Sequence, residues 1–326
     1  LIDANCQLQI IHKISHTFAP YKLEEMENEA ACLEEEWWWC VDANLENIAN
    51  LLKNENYAIL DGFLQQNHAL CLEEEIVLAN RNGLLNESGR LGGGRVGRNT
   101  NFVEKSIRSD KVGWFEGKEE CWETLSYAIE KVSTLIVELE KFLPEELVNV
   151  KTKTRAMVTC YPGNGSRYTL HCDNGNLNGR RLTSILYMNS DWNASDGGQL
   201  RLYAPHTKES YGATHHSHIV DIEPYLNRLL LFWSDARCPH EVLPCQGGRN
   251  RFAITMWFLD SVERADALQN QSKPSFSFEE KRLQQEQASY SSAFLDAHIT
   301  PTSQPVSSTC KSVPNIKEMT ETNDQL

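Results

Sequence analysis

The sequence predicts a mainly β core, a sandwich or barrel, with α-helices packed outside it. Between Arg155 and Asp260, short runs of strand-forming residues alternate with turns rich in Gly, Asn, Asp and Pro, as is typical of a sandwich or barrel. Before this stretch, apolar residues recur at the three- and four-residue spacing of amphipathic helices. The chain therefore combines a helical first part with a β-rich second part.

The elements follow from these patterns in chain order. The first helix is predicted to begin near Asp42, with Asp42 or Asn44 as its N-cap and with apolar residues on one face: Leu45, Ile48, Leu51 and Leu52. The following elements are a strand at 57–60, a helix at about 65–80, a loop at 83–97, a helix at 119–142 and strands at 155–161, 181–189, 228–233 and 250–259. We expect the long helix to end before Pro144.

Three regions are predicted along the chain. Residues 1–40 are predicted to form an acidic, flexible extension that ends in three consecutive tryptophans, some of which must pack on a neighbouring element or on a partner. Residues 41–265 form one domain, with supporting helices over 41–150 and the β core over 151–260. Residues 266–326 are rich in Ser, Gln and Thr, so we expect a disordered polar tail.

The composition limits the classes of function. The chain is 40% hydrophobic and 23% charged, contains no apolar run of membrane-spanning length and shows no signal-peptide pattern. Its ten cysteines form no CxxC pair, which favours a reducing compartment, the cytosol or nucleus. Residues 1–150 carry 13 Lys and Arg against 27 Asp and Glu, which argues against nucleic acid as a partner. We expect a monomer that binds no membrane; the first residue is Leu1, so the true start is left open.

A candidate metal site is the centre of the functional argument. In a strand, residues two apart share a face, so His171 and Asp173 place an imidazole beside a carboxylate. His240 follows on a later strand. Two histidines and one carboxylate form the facial triad of non-haem iron(II) oxygenases, but zinc could use the same ligands. A second histidine-rich stretch, 215–218, reads as a solvated loop.

Arg251 favours the oxygenase. It opens a predicted strand, and its guanidinium is suited to a bidentate grip on a carboxylate remote from the metal, such as that of 2-oxoglutarate. Thr183 and Tyr187 share a face of an earlier strand and could complete a dicarboxylate pocket. Arg249 lies two residues before Arg251 and would share its face of an extended strand. Arg249 lies in a glycine-rich turn, however, and is the poorer candidate.

Residues from about Leu45 to Arg264 resemble the catalytic domain of the hypoxia-inducible factor prolyl hydroxylases of animals. The specific matches are Met157-Val158-Thr159-Cys160-Tyr161-Pro162-Gly163-Asn164-Gly165, Tyr168-Thr169-Leu170-His171-Cys172-Asp173-Asn174, Asp221-Ile222-Glu223-Pro224, Arg228-Leu229-Leu230-Leu231-Phe232-Trp233-Ser234-Asp235, Pro239-His240-Glu241-Val242 and, upstream, residues 107–114. About two-thirds of the chain is covered by this resemblance.

The resemblance implies a double-stranded β-helix, the jelly roll of cupin-like proteins, buttressed by helices. It implies trans-4-hydroxylation of a proline in the degradation region of the transcription factor's α subunit, with Fe(II), 2-oxoglutarate and O2 as reactants and ascorbate as supporting reductant. Its metal ligands fall on His171, Asp173 and His240. The cosubstrate residues fall on Arg251, Tyr187, Thr183, Tyr161, Met157, Ile185 and Leu200. Residues near the iron or the peptide fall on Trp257, Tyr168, Arg180, Arg108 and Asp110, with Arg180 and Asp110 expected to form an ion pair.

Two departures from the family pattern leave peptide selectivity open. The stretch between His240 and Arg251 is longer than usual, and residues 203–219 form an unusual insertion. The alternatives are therefore the same chemistry on another intracellular protein, such as a ubiquitin-ligase adaptor or a ribosomal protein, or a non-catalytic binding module on the same fold. A zinc hydrolase is a more remote alternative.

Overall fold

The computed structural model describes residues 37–87, 107–119, 122–204, 218–272 and 312–313. Within these residues the helices are α1 (Asp42–Asn54), α2 (Gln66–Arg81), α3 (Glu123–Leu139), the single turn α4 (Pro144–Leu147) and α5 (Ser261–Ser272). The predicted loop at 83–97 and the predicted insertion at 203–219 lie largely outside the described residues. No helix in the described ranges is both long and apolar enough to cross a membrane.

Among the described residues the β-strands form two sheets, which are antiparallel apart from one parallel pair at an edge of the larger sheet. They are β1 (Tyr57–Asp61), β2 (Asn86–Glu87), β3 (Lys111–Phe115), β4 (Val150–Lys153), β5 (Ala156–Tyr161), β6 (Tyr168–His171), β7 (Arg180–Tyr187), β8 (Leu200–Ala204), β9 (His218–Ile222), β10 (Arg228–Trp233), β11 (His240–Val242), β12 (Arg251–Asp260) and β13 (Ser312–Val313). The larger sheet has the order β13-β1-β10-β7-β12-β5-β3-β2, with β4 also paired to β12. The smaller sheet has the order β6-β11-β8-β9.

One cavity lies between the two sheets. Ile185 and Thr255 reach it from the larger sheet, and Leu200 and Val242 reach it from the smaller one. Two facing, mainly antiparallel sheets joined in this way form a jelly roll, so the predicted mainly β fold class is confirmed. The strands predicted at 155–161, 181–189, 228–233 and 250–259 are found within two residues of their expected bounds.

Helix α1 packs on β1 and β10 of the larger sheet, and α3 packs on α1. The tryptophan run anchors this layer, because Trp38 and Trp39 are buried, Trp38 Nε1 donates to the Gly62 carbonyl at 3.1 Å, and Trp39 stacks on Phe63. Trp37 lies beside the buried Lys131 of α3. The prediction that some of the three rings must pack on a neighbour is confirmed.

The helix ends differ from their predictions for local reasons. The long helix begins at Glu123 rather than Glu119, because the Glu119 carboxylate accepts the backbone N–H groups of residues 116, 117 and 118 and so closes a turn. The first helix has no side-chain cap, since its N-cap position is Val41. The last helix continues to Ser272, so the first residues of the predicted tail are helical.

Candidate active site

His171, Asp173 and His240 converge at the cavity, and their candidate ligand atoms all lie within 4.8 Å of one another. His171 ends β6 and pairs directly with His240, the first residue of β11. Asp173 lies in the turn just after β6, not in the strand that the sequence predicts. One of its carboxylate oxygens is 3.7 Å from His171 Nε2, and the other is 3.7 Å from His240 Nε2.

Both imidazoles present Nε2 to this cluster. His171 Nδ1 lies 2.8 Å from the Thr169 carbonyl oxygen, and His240 Nδ1 lies 2.9 Å from the Cys238 carbonyl oxygen. A carbonyl can only accept, so each Nδ1 carries a hydrogen and donates it. Metal-binding histidines are oriented in this manner.

The electrostatics of the cluster suit a divalent cation. Burial raises the pKa of Asp173, whereas the neighbouring His240 and His171 lower it. The lowering prevails, so the pKa of Asp173 lies below its ordinary value. Burial and the neighbouring His240 lower the pKa of His171 to about 3. At neutral pH the site therefore holds an ionised carboxylate beside a neutral imidazole, which are the protonation states that metal binding requires.

Arg251 lies at another part of the same cavity, which has a volume of about 140 Å³. Its guanidinium carbon is 5.0 Å from the ring centre of Tyr161 and 5.1 Å from that of Tyr187. Arg251 Nε donates to the Gly198 carbonyl at 2.8 Å, which fixes the side chain in direction. Gly198 allows this approach, since a Cβ there would lie 3.2 Å from Arg251 Cδ.

Two buried polar atoms beside this guanidinium point to an anionic ligand. Arg251 Nη2 and Tyr187 Oη have no hydrogen-bond partner among the described residues. Burial raises the pKa of Tyr187 to about 12 although Arg251 opposes the shift, so the hydroxyl keeps its proton and can donate. An unpaired buried donor is unfavourable, and a carboxylate would satisfy both groups. The residues present therefore fit a dicarboxylate that reaches from a metal to Arg251.

Most of the predicted site residues line this cavity. The predicted residues that line it are Arg108, Met157, Tyr161, Tyr168, His171, Asp173, Arg180, Ile185, Leu200, His240, Arg251 and Trp257. Thr183, Tyr187 and Asp110 each contact a lining residue: Thr183 contacts Asp173, Tyr187 lies beside Arg251, and Asp110 pairs with Arg108. Thr183 has a different neighbour from the one expected, because its hydroxyl donates to Asp173 Oδ2 at 2.8 Å. Its contact is with the candidate metal ligand, not with the pocket around Arg251.

The predicted ion pair between Arg180 and Asp110 is wrong. Asp110 instead receives two bonds from Arg108, at 2.8 and 2.5 Å, and this pair is almost fully buried. Arg180 lies over the ring of Trp257, with its guanidinium carbon 4.1 Å from the ring centre. Arg180 Nη1 also donates to the Asp173 carbonyl oxygen at 3.3 Å.

Arg249 does not compete with Arg251, because its guanidinium donates to the Ser190 carbonyl outside the cavity.

Sequence reasoning missed other lining residues, among them Thr255, Val242 and Trp114. Strand parity could have found the first two, since Thr255 shares a face with Arg251, and Val242 shares one with His240. Trp114 is brought to the cavity by the pairing of β3 with β5, and the local sequence around Trp114 does not indicate this pairing.

Comparison with known proteins agrees with this geometry. A model of the 2OG-Fe(II) oxygenase superfamily matches residues 156–259. Human prolyl hydroxylase EGLN3 is 38% identical over 224 residues, which are 68% of this chain and 86% of that protein. The hypoxia-inducible factor prolyl hydroxylase of Caenorhabditis elegans is 35% identical over 227 residues, which are 68% of this chain and 29% of that protein.

Solved structures agree as well. A prolyl hydroxylase from Trichoplax adhaerens, in complex with a hypoxia-inducible factor oxygen degradation domain peptide fragment, has a TM-score of 0.59 and 32% identity, over 71% of this chain and 98% of that chain. A prolyl-4-hydroxylase from Pseudomonas putida has a TM-score of 0.53 and 25% identity, over 66% of this chain and 98% of that chain.

The reactants of the superfamily are Fe(II), 2-oxoglutarate and O2, and ascorbate is the typical supporting reductant. The two nitrogens and one carboxylate of the cluster fit the metal, and the unpaired donors at Arg251 and Tyr187 fit the cosubstrate. The chain is thus a 2-oxoglutarate-dependent dioxygenase, and it belongs to the hypoxia-inducible factor prolyl hydroxylase family.

Proposed function

We propose that this enzyme hydroxylates C4 of a proline in the degradation region of a hypoxia-inducible factor α subunit, and so couples oxygen level to degradation of that factor. The observation that carries the proposal is a single cavity in which the candidate metal ligands and the partly unpaired Arg251 face the same space. Its relatives support the choice of substrate, since one of them was solved with a peptide of this class.

We assign His171, Asp173 and His240 as the iron ligands, and Arg251 with Tyr187 as the group that holds the distal carboxylate of 2-oxoglutarate. When bound, iron and 2-oxoglutarate activate dioxygen to attack an unactivated C–H bond, with succinate and CO2 as coproducts. The protein holds the His171 imidazole neutral, and it would direct the cosubstrate by hydrogen bonds from Arg251 Nη2 and Tyr187 Oη.

The remaining wall of the cavity keeps water away from the reacting atoms. Ile185 and Leu200 are buried and apolar, and Met157 and Tyr161 continue this wall on β5. An apolar enclosure protects a reactive species from water and directs it to the bound substrate. We assign these four residues to the cosubstrate pocket.

We assign Arg180, Arg108, Tyr168 and Trp257 to the contact with the peptide. Arg180 stacks on Trp257 at 4.1 Å, and Arg108 lies 4.6 Å from the ring centre of Tyr168. Flat aromatic surfaces suit a proline ring, and the guanidinium group of Arg180 favours a peptide with an acidic residue near the proline. Asp110 holds Arg108 in this position by two short hydrogen bonds.

The setting of the enzyme is part of the same proposal. We place it in the cytosol or nucleus, in agreement with its substrate class and with the free cysteines of the described residues. We propose a monomer whose catalytic domain spans residues 41–265, with an acidic extension before it that packs Trp38 and Trp39 into the domain core and with a polar tail after it. Limited proteolysis with mass spectrometry of the fragments tests these bounds.

The test of function is a peptide assay. The protein is incubated with Fe(II), 2-oxoglutarate, ascorbate and a degradation-domain peptide, and the peptide is examined by tandem mass spectrometry. We expect one added oxygen on the target proline, succinate in equal amount, and neither product with Asp173→Ala. Oxygen added only to peptides of a ubiquitin-ligase adaptor or a ribosomal protein would show that the substrate is one of those proteins and not the transcription factor. Absence of both succinate and hydroxylation would favour a non-catalytic binding module.

A further inference from the structure

Ser234 is a fully buried serine at the end of β10, and its hydroxyl lies 2.8 Å from the hydroxyl of Thr183. Thr183 is fully buried as well, and its hydroxyl lies 2.8 Å from Asp173 Oδ2. The three side chains thus form a continuous hydrogen-bonded line that starts in the core and ends at the carboxylate. Ser234 does not line the cavity.

The direction of each hydrogen bond follows from the chemistry of the groups. A metal-binding carboxylate is deprotonated and can only accept, so the single hydroxyl hydrogen of Thr183 must be donated to Asp173. Thr183 can then only accept from Ser234, and the Ser234 hydroxyl must be the donor. Both hydrogen bonds therefore point from the core toward the carboxylate: Ser234 donates to Thr183, and Thr183 donates to Asp173.

Ser234 also holds the backbone that carries Asp173. Its carbonyl oxygen accepts the Asn174 N–H at 2.7 Å, and its own N–H donates to the Arg181 carbonyl at 3.1 Å. These backbone bonds set where the segment lies, and they remain when the serine side chain is removed. The hydrogen bonds from Ser234 to Thr183 and from Thr183 to Asp173 add a second restraint, because they limit the rotation of the Asp173 carboxylate.

We propose that Ser234 is a positioning residue that acts through Thr183 to orient the Asp173 carboxylate for the metal. This inference rests on the proposed role of Asp173 as an iron ligand. With Ser234 in place, Thr183 donates to Oδ2 in one fixed direction. Without it, the Thr183 hydroxyl loses its donor, and the carboxylate is held by a hydroxyl that can turn to other acceptors.

The described residues offer a matched control in Ser184. This serine follows Thr183 on β7, is also almost fully buried, and donates to the Met256 carbonyl at 3.2 Å. Its hydroxyl belongs to the same strand and the same core but has no contact with Asp173 among these bonds. Loss of a buried serine hydroxyl can therefore be separated from loss of the line to Asp173.

The experiment measures Co(II) binding to the metal-free protein by visible absorption, in the absence of 2-oxoglutarate and O2. Removal of a residue that orients a metal ligand lowers metal affinity by about 10- to 100-fold, and we expect this loss for Thr183→Val. Ser234→Ala should lower affinity in the same direction by a smaller factor and change the absorption spectrum of bound Co(II). Ser184→Ala should leave both unchanged, and Thr183→Ser should restore affinity.

A double-mutant cycle gives the sharpest result. Because Ser234 acts only through Thr183, the variant Thr183→Val/Ser234→Ala should bind Co(II) no more weakly than Thr183→Val alone. Ser234→Cys, which keeps a weak donor, provides a second test if Ser234→Ala folds poorly, and thermal unfolding of each metal-free variant reports its folding.

The outcomes separate this inference from the proposed function. Additive losses in the cycle, or equal affinity for Ser234→Ala and Ser184→Ala, would overturn the role of Ser234 while leaving Asp173 as a ligand. Unchanged Co(II) binding in Asp173→Ala would overturn the metal site and the inference together.

Discussion

His171 and His240 form a directly registered antiparallel pair, so the two imidazoles that flank Asp173 are held by the hydrogen bonding of β6 to β11. Their ring centres lie 4.3 Å apart. Because both rings also donate through Nδ1 to backbone carbonyls, little reorganisation is needed when a metal binds. A site built on paired strands is held more firmly than one built on loops.

The guanidinium of Arg251 should determine the affinity for 2-oxoglutarate. We expect Arg251→Ala to raise the KM for 2-oxoglutarate by about 10- to 100-fold, since a hydrogen bond to a charged group contributes about 1.5–3 kcal/mol. The KM is measured from succinate release with saturating peptide. Arg249→Ala is the matched control, because that side chain bonds the Ser190 carbonyl outside the cavity, and an equal effect of both changes would contradict the assignment.

The hydroxyl of Tyr187 should have opposite effects on stability and on cosubstrate binding. Its oxygen is buried without a hydrogen-bond partner among the described residues, so Tyr187→Phe should stabilise the ligand-free protein by about 1 kcal/mol. The same change should raise the dissociation constant of 2-oxoglutarate by about tenfold, because one donor to its carboxylate is lost. Chemical denaturation with and without 2-oxoglutarate measures both effects. A variant that is less stable without ligand and equally active would contradict this role.

The stability of the metal-free protein should fall in mild acid. The folded state keeps His171 neutral down to about 3, whereas an unfolded histidine is protonated below 6.5. The unfolded state therefore binds more protons between these values, and the free energy of unfolding decreases as pH falls through this window. Denaturant titrations across it should show a flatter dependence for His171→Gln. An identical slope in both proteins would show that His171 is not held neutral.

The buried pair of Arg108 and Asp110 should contribute much more to stability than an exposed pair of the same geometry. Asp110→Ala leaves a buried guanidinium without its carboxylate and should lower the free energy of unfolding by about 3 kcal/mol. Asp221→Ala removes the partner of the more exposed Arg201, which it meets at 2.7 Å, and should cost less than about 1 kcal/mol. Similar losses in urea denaturation would contradict the burial argument.

The parts of the fold that are periodic could be predicted from sequence. Apolar spacing located α1, and alternation with turn residues located β5, β7, β10 and β12 within two residues. The start of α3 could not be predicted, because Glu119 folds back on preceding backbone N–H groups. Such local competition between a side chain and the helix backbone leaves no periodic signal.

The candidate site was predictable to the extent that strand parity governs it. Arg251 begins a strand and His240 lies on another strand, as expected, and the motifs around them carried the assignment. Parity places Thr183 and Tyr187 on one face of β7, yet it does not reveal that Thr183 donates to Asp173 while Tyr187 lies beside Arg251. The partner of Arg180 depended on the packing of Trp257, which is set by contacts distant in sequence.

The most direct test of the account is anaerobic formation of the Fe(II)–2-oxoglutarate complex, followed by its visible charge-transfer absorption. The wild-type protein should develop this absorption only when both Fe(II) and 2-oxoglutarate are present. Asp173→Ala should abolish it, Arg251→Ala should require much more 2-oxoglutarate, and Arg249→Ala should behave as wild type. No absorption in the wild-type protein, or undiminished absorption in Asp173→Ala, would contradict the claim that His171, Asp173 and His240 hold the catalytic iron.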